Sequence, residues 1–188
     1  MRLGQSIFSP KNSQPSESFS LIEILIVISL FATIAVFTFP SFSFFEKQIL
    51  KSDVEKVFVI INYLQQKALA SNKNQKLFIN ENNNKYGYEN INQKITLHSL
   101  NPKISFGFLE GSKGPPSNPQ NLIQNKTTFP KENNLYVIKF EPNGQITPGT
   151  IYFINKKRNL MMAISTPISQ ISFIRIYTLN KNKWVIIR

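Results

Sequence analysis

One carboxylate stands out by its surroundings. Glu23 sits at the head of an apolar run, and residues 24–45, 22 positions, carry no charge at all. A carboxylate at the edge of such a run is expensive unless a cation or a hydrogen-bond donor meets it, so Glu23 is a candidate functional residue. The other groups able to do chemistry are sparse. His98 is the only histidine, Asp53 the only aspartate, and cysteine is absent. This inventory excludes a disulfide framework, a thiolate or multi-histidine metal site, and a His-Asp triad of the usual kind. Glu81, Glu89, Glu110, Glu132 and Glu141 are scattered among Asn-rich turns and read as solvated loop charges. Glu81 with Asn82, Asn83 and Asn84 lacks the alternating acidic ligands of a strong calcium loop. No Gly-x-Ser-x-Gly elbow and no Gly-rich phosphate loop occurs. The sequence therefore predicts no catalysis, no cofactor and no metal. What remains is surface charge. Lys156, Lys157 and Arg158 cluster at one turn, and Lys181, Lys183 and Arg188 lie near Trp184. Cations beside an aromatic ring are the minimum for holding nucleic acid; a solvated hairpin turn with Trp184 buried in the last strand is the plainer account of them.

The elements that must position these residues follow from composition and periodicity. At 188 residues the chain has room for one domain beyond the apolar run. Its net charge of +12 points to anionic partners, nucleic acid or a membrane surface. Abundant Asn, Lys and Ile are equally compatible with compositional drift. Four readings compete for the first 45 residues. A secretory signal peptide has a shorter apolar core, of about 7–15 residues, ending at a small-x-small site. Ala35-Val36-Phe37 fits that poorly. A buried core helix is excluded by length, since 22 uncharged residues exceed what so small a domain buries. A plain single-pass anchor explains the length but not Glu23.

The fourth reading rests on a combination. A polar leader with Arg2, Lys11 and Glu17 precedes Ser18-Phe19-Ser20-Leu21-Ile22-Glu23, and a long apolar segment containing Pro40 follows. This passage resembles the type IV prepilin signature from Ser18 to about Phe45. The resemblance implies cleavage by a prepilin peptidase between Ser18 and Phe19, and N-methylation of Phe19. It also implies that Glu23 acts in assembly, with Pro40 at the family's helix kink. Ser18 stands where Gly is usual, and Ser20 where Thr is commoner. The expected layout is a leader at 1–18, the transmembrane part of an N-terminal helix at 19–45, an amphipathic spine at 46–74 and a β-rich head at 75–188. The leader carries a net charge of only +1, from Arg2, Lys11 and Glu17. Long domains cross regardless of charge, so the head is expected outside the bacterial inner membrane, in the periplasm.

Leu50, Val54, Val57, Ile61, Leu64 and Ala68 are spaced 4, 3, 4, 3, 4. That is one apolar stripe of a helix, expected to pack on the protein's own sheet. The helix should end near Ser71–Asn74; a continuous one from Phe19 would be ~80 Å long. Beyond residue 75 the period becomes two. Strands are expected at 76–80, 91–97, 104–109, 135–140, 150–154, 160–164, 171–179 and 183–187. Pro142-Asn143-Gly144, Pro148-Gly149 and Asn180-Lys181-Asn182 supply turns, and residues 111 to about 130 a loop. The fold class is α+β, a long helix packed on an antiparallel sheet or sandwich. Val57–Phe78 and the passage Phe140-Glu141-Pro142-Asn143-Gly144 with Gly149-Thr150-Ile151-Tyr152-Phe153 resemble the H-type minor pseudopilins, the GspH/FimT family. That family's terminal Gly-Arg-x-x pattern is replaced here by Asn180-Lys181-Asn182-Lys183-Trp184.

The resemblance implies a structural subunit of the type II secretion pseudopilus, anchored in the inner membrane and then assembled with other pseudopilins through its N-terminal helix. The alternative is a FimT-like minor type IV pilin that binds DNA for uptake. There Lys156, Lys157, Arg158, Lys181, Lys183 and Arg188 would carry the contact.

Overall fold

A computed structural model of the chain describes residues 20–38, 42–90, 95–115, 120–167 and 173–188. It divides into two units, Met1–Ser41 and Phe42–Arg188. In the first, α1 spans Leu21–Thr38. In the second, α2 spans Phe42–Ser71. Ser18, Phe19 and Pro40 lie outside the described residues, as does the leader.

The spaced apolar stripe is the buried face of α2. Leu50, Val54, Val57, Ile61, Leu64 and Ala68 are all buried, whereas Val59 and Tyr63 on the other side stay exposed. The helix stops where the sequence breaks the pattern. Asn72 follows Ser71 with φ 51°, the left-handed conformation that ends many helices and that Asn tolerates. The stripe meets two five-stranded antiparallel sheets. The first contains β1 (Gln75–Asn80), β2 (Lys85–Glu89), β3 (Ile95–Ser99), β5 (Lys131–Glu132) and β6 (Leu135–Phe140), in the order β3-β2-β1-β6-β5. The second contains β4 (Ile104–Phe106), β7 (Gly149–Asn155), β8 (Met161–Thr166), β9 (Arg175–Asn180) and β10 (Lys183–Ile186), in the order β10-β9-β8-β7-β4. One apolar cluster joins α2 to both sheets, through Leu77, Ile79, Ile138 and Phe140 of the first and Ile151, Phe153, Met162 and Ile164 of the second. The architecture is the expected α+β one.

The second sheet is covered on its other face as well. Tyr152, Met161, Ala163 and Tyr177 form a separate cluster with Ile123, against which Phe108, Leu109, Leu179 and Trp184 pack. The strandless stretch after β4 is therefore a lid of the core and not a free loop. Two of its limbs are joined to each other by hydrogen bonds from Gly114 N to Asn121 O and from Ile123 N to Ser112 O, both 3.0 Å. With both faces covered, every residue of β8 is buried. This explains why Met161–Thr166 shows no polar alternation.

Two strands have no counterpart in the expected set. β2 was hidden by its Asn-rich approach, which forms a turn: Asn80 Oδ1 accepts from the N–H groups of Asn82 (3.2 Å) and Asn83 (3.3 Å). β5 is two residues long and turns into β6 through Asn133 and Asn134, with φ 47° and 65°. Two successive positive φ values define the hairpin turn that matches strand twist. Lys181 and Asn182, with φ 45° and 64°, close the β9–β10 hairpin in the same way and at the expected place.

Candidate functional site

α1 begins with a reciprocal cap. The backbone N–H of Glu23 donates to the Ser20 carbonyl at 3.0 Å, and the Ser20 N–H donates to Glu23 Oε2 at 3.1 Å. Ser-x-x-Glu at a helix start is a capping-box pattern, and here the Glu half of it is made. The carboxylate also lies in the first turn, where the helix dipole favours negative charge. This capping role is legible in Ser20-Leu21-Ile22-Glu23, a Ser-x-x-Glu pattern ahead of the apolar run. Beyond the cap, apolar side chains cover α1 on all sides. Leu21, Ile22, Leu25, Ile26, Ile28 and Phe31 are each exposed. A helix apolar all round belongs in a core, an assembly or lipid. Among the described residues, no helix is long and apolar enough to cross a membrane. The 18 residues of α1 rise ~27 Å, a little short of a ~30 Å hydrocarbon core.

The basic residues separate into two places. Asn155 Oδ1 accepts from the N–H groups of Asn159 (3.0 Å) and Leu160 (2.9 Å), which folds Lys156, Lys157 and Arg158 into the β7–β8 turn. Met162 stands opposite Thr178, so the β9–β10 turn with Lys181 and Lys183 lies at the same end of the second sheet. Arg188 lies at the far end of that hairpin, where its carbonyl accepts from Ile176 N at 2.9 Å and its guanidinium sits 5.6 Å from the Phe58 ring centre. Arg158 is turned toward Glu110, at 3.9 Å. Trp184 packs beside Tyr152 and Tyr177, with ring centres 6.2 and 6.3 Å away, and its indole N–H donates to the Lys113 carbonyl at 2.9 Å. A ring engaged in this way has little free face for a base.

Sequence reasoning missed what stands next to the turns. Glu46, at the start of α2, reaches Lys157 Nζ at 2.7 Å and accepts from Asn155 Nδ2 at 3.1 Å. It thereby ties the helix to the β7–β8 turn. Beside that link is a cavity of about 180 Å³, lined by Ile49 and Ile104 and rimmed by Lys103, Lys156 and Lys157. A smaller one of about 100 Å³ touches Lys47, Leu160 and Asn180. These contacts join residues more than a hundred positions apart, so no local pattern announces them.

The remaining titratable groups serve the fold. Asp53 is buried on α2, held by Lys56 at 2.9 Å, and accepts the Asn101 N–H across 48 residues. Burial, aided by the Asp53 charge, pushes the Tyr86 hydroxyl up to about 12, and burial alone pushes Tyr152 to about 12. His98 is half-buried in β3 and stacks on Tyr86 and Tyr88, with ring centres 5.5 and 5.9 Å away. Glu81 meets the Tyr136 hydroxyl at 3.5 Å; burial first, and then Glu81, raises that hydroxyl's pKa. The oxygen of Asn80 is already taken by the turn's own N–H groups, so this loop makes no cation cage. Glu132 is held below the usual carboxylate range by hydrogen bonding to Lys139, with Lys76 adding to it. Among the described residues, no three metal-ligating side chains converge.

No protein-family model matches this sequence, and no curated protein matches it. Among solved structures, the minor pseudopilin EpsH from the type 2 secretion system of Vibrio cholerae is similar over 73% of this chain and 95% of its own, at 11% identity and a TM-score of 0.40. So distant a likeness gives no residue of this chain a role.

Proposed function

We propose that this chain is a minor pseudopilin, a structural subunit of a type II secretion pseudopilus. It is made as a prepilin, cut by prepilin peptidase between Ser18 and Phe19, and methylated on Phe19. Until assembly it rests in the bacterial inner membrane by a single pass, with its head in the periplasm; it then joins other pseudopilins through its N-terminal helix. The observation that carries this reading is α1, an exposed helix apolar on all sides with one carboxylate in its first turn. The apolar run continues in the sequence to Phe45, long enough to span a bilayer where α1 alone is short. The Ser18–Glu23 passage supports the processing step. Such a subunit performs no covalent chemistry of its own; it supplies contacts to a fibre.

Mass spectrometry of the mature chain tests the proposal. The expected species begins at Phe19 and carries one added methyl group. A chain that keeps Met1 in cells containing the peptidase overturns it.

DNA capture at a pilus tip is a second reading that shares the same anchor. The convergence of Lys156, Lys157, Lys181 and Lys183 favours it, whereas the engaged ring of Trp184 disfavours it. Under that reading the chain retains duplex DNA at low salt, and charge reversal at Lys156 and Lys157 abolishes retention. No retention at low salt dismisses it.

A further inference from the structure

We infer that the end of the head around the start of α2 is a docking surface for anionic phospholipid headgroups. The inference rests on the membrane-anchored reading above and specifies which face of the head meets the bilayer.

The lysines of this unit are not all paired. Lys51 meets Glu55, Lys56 meets Asp53, and both Lys76 and Lys139 meet Glu132, whereas Lys67, Lys73, Lys85, Lys113, Lys126 and Lys131 have no carboxylate within ion-pair distance among the described residues. At this end Lys47, Lys103, Lys156, Lys157, Lys181 and Lys183 gather from α2, the start of β4, and the two turns of the second sheet. The contacts that bring them together are the two cavities, the strand registers and the bond from Lys156 N to Lys103 O at 2.8 Å. Of these six lysines only Lys157 has a carboxylate within ion-pair distance among the described residues, and that carboxylate is Glu46. All six are exposed. Unscreened cations at one end of a protein attract an anionic surface, and the effect falls off within a Debye length.

Two further observations select lipid over a soluble polyanion. Phe44 and Phe45 are exposed in the first turn of α2, immediately before Glu46 and Lys47. Exposed apolar rings beside lysines suit a bilayer boundary, where the rings bury among acyl chains and the lysine stems keep their ammonium groups among the headgroups. The cavity between these lysines is mostly apolar, with Ile49 and Ile104 in its lining, and Glu46 and Asn155 complete it beside Lys157. A phosphate over an acylated glycerol satisfies both rim and floor, whereas a nucleic-acid backbone uses only the rim.

The test uses the full chain inserted from detergent into preformed vesicles, one set of phosphatidylcholine and one of phosphatidylcholine mixed with phosphatidylglycerol. Flotation establishes that the chain is anchored. Amine acetylation rates are then read by mass spectrometry. Lys103, Lys156 and Lys157 are expected to react several-fold more slowly on the anionic vesicles, with the difference erased by high salt and with Lys85 and Lys131 of the first sheet unaffected. The double variant Lys156→Glu, Lys157→Glu is expected to float as before and to lose the salt-sensitive protection of Lys103. Equal rates on both vesicles in a chain that floats overturn the inference and leave the anchor standing. A chain that floats with neither vesicle overturns the anchor reading, and this inference with it. Protection by added duplex DNA but not by phosphatidylglycerol assigns the lysines to nucleic acid and also overturns it.

Discussion

Glu23 caps α1, and under the proposed function it also meets the amine that cleavage creates at Phe19 of a neighbouring subunit; one substitution separates the two roles. As a cap it needs only an acceptor oxygen for the Ser20 N–H, which Gln supplies as well as Glu. As the partner of a cleaved chain's amine it needs its charge. Under the proposed function, Glu23→Gln keeps the helix and loses assembly, while Glu23→Ala loses both; fibre formation, scored beside helix content by circular dichroism, tells them apart. Assembly by Glu23→Gln at the level of the parent dismisses the charge role. Gly149 gives a second residue-scale prediction. A Cβ placed there would lie 2.5 Å from the ring of Phe129, which is itself buried. Gly149→Ala is expected to destabilise the head by about 1–3 kcal/mol, read as a lower midpoint in thermal or urea unfolding. In the sequence Gly149 belongs to a Pro-Gly turn and to the family-like Gly149–Phe153 passage; its close approach is not legible there, because the ring pressing on it comes from twenty residues upstream.

The two sides of α2 make opposite predictions. Ile61 and Leu64 are fully buried between the sheets, so Ile61→Ala or Leu64→Ala should cost about 2–5 kcal/mol of stability. Val59 is exposed, so Val59→Ala should change stability by no more than about 0.5 kcal/mol. Urea unfolding of the three variants checks the division. This element was the most legible of the fold, because six apolar positions on one face leave no other period available. The strands were less so. β6 was readable from Leu-Tyr-Val-Ile-Lys-Phe between turn residues. β2, as Lys-Tyr-Gly-Tyr-Glu, offers two aromatic residues around a glycine and depends on β1 and β3 for its partners. The lysine-rimmed end was half readable: the Lys156-Lys157-Arg158 and Lys181/Lys183 clusters are local, but their meeting with Lys47 and Lys103 depends on strand register, on Glu46 and on the Lys156 N to Lys103 O bond, none of which is written locally in the sequence.

For the whole molecule, alkaline pH is the informative variable. Tyr86 and Tyr152 both have hydroxyl pKa values raised to about 12, from an unfolded value near 10. A raised folded pKa favours the folded state fully below pH 10 and loses that advantage as pH climbs to 12. The thermal midpoint is therefore expected to hold up to about pH 10 and to fall between pH 10 and 12. The slope should be shallower in Tyr86→Phe and Tyr152→Phe. A midpoint that declines equally in parent and variants assigns the alkaline transition to other groups.

The covering of the second sheet on both sides, by α2 and by the stretch around Ile123, limits how copies can pack. A layer already sandwiched has no flat side left to offer a neighbour. Stacking of heads through the second sheet is closed to this protein, which leaves the first sheet, the rims, where β3 presents Ile95 and Leu97 and β10 presents Val185 and Ile186, and the outward ridge of Val59 and Tyr63.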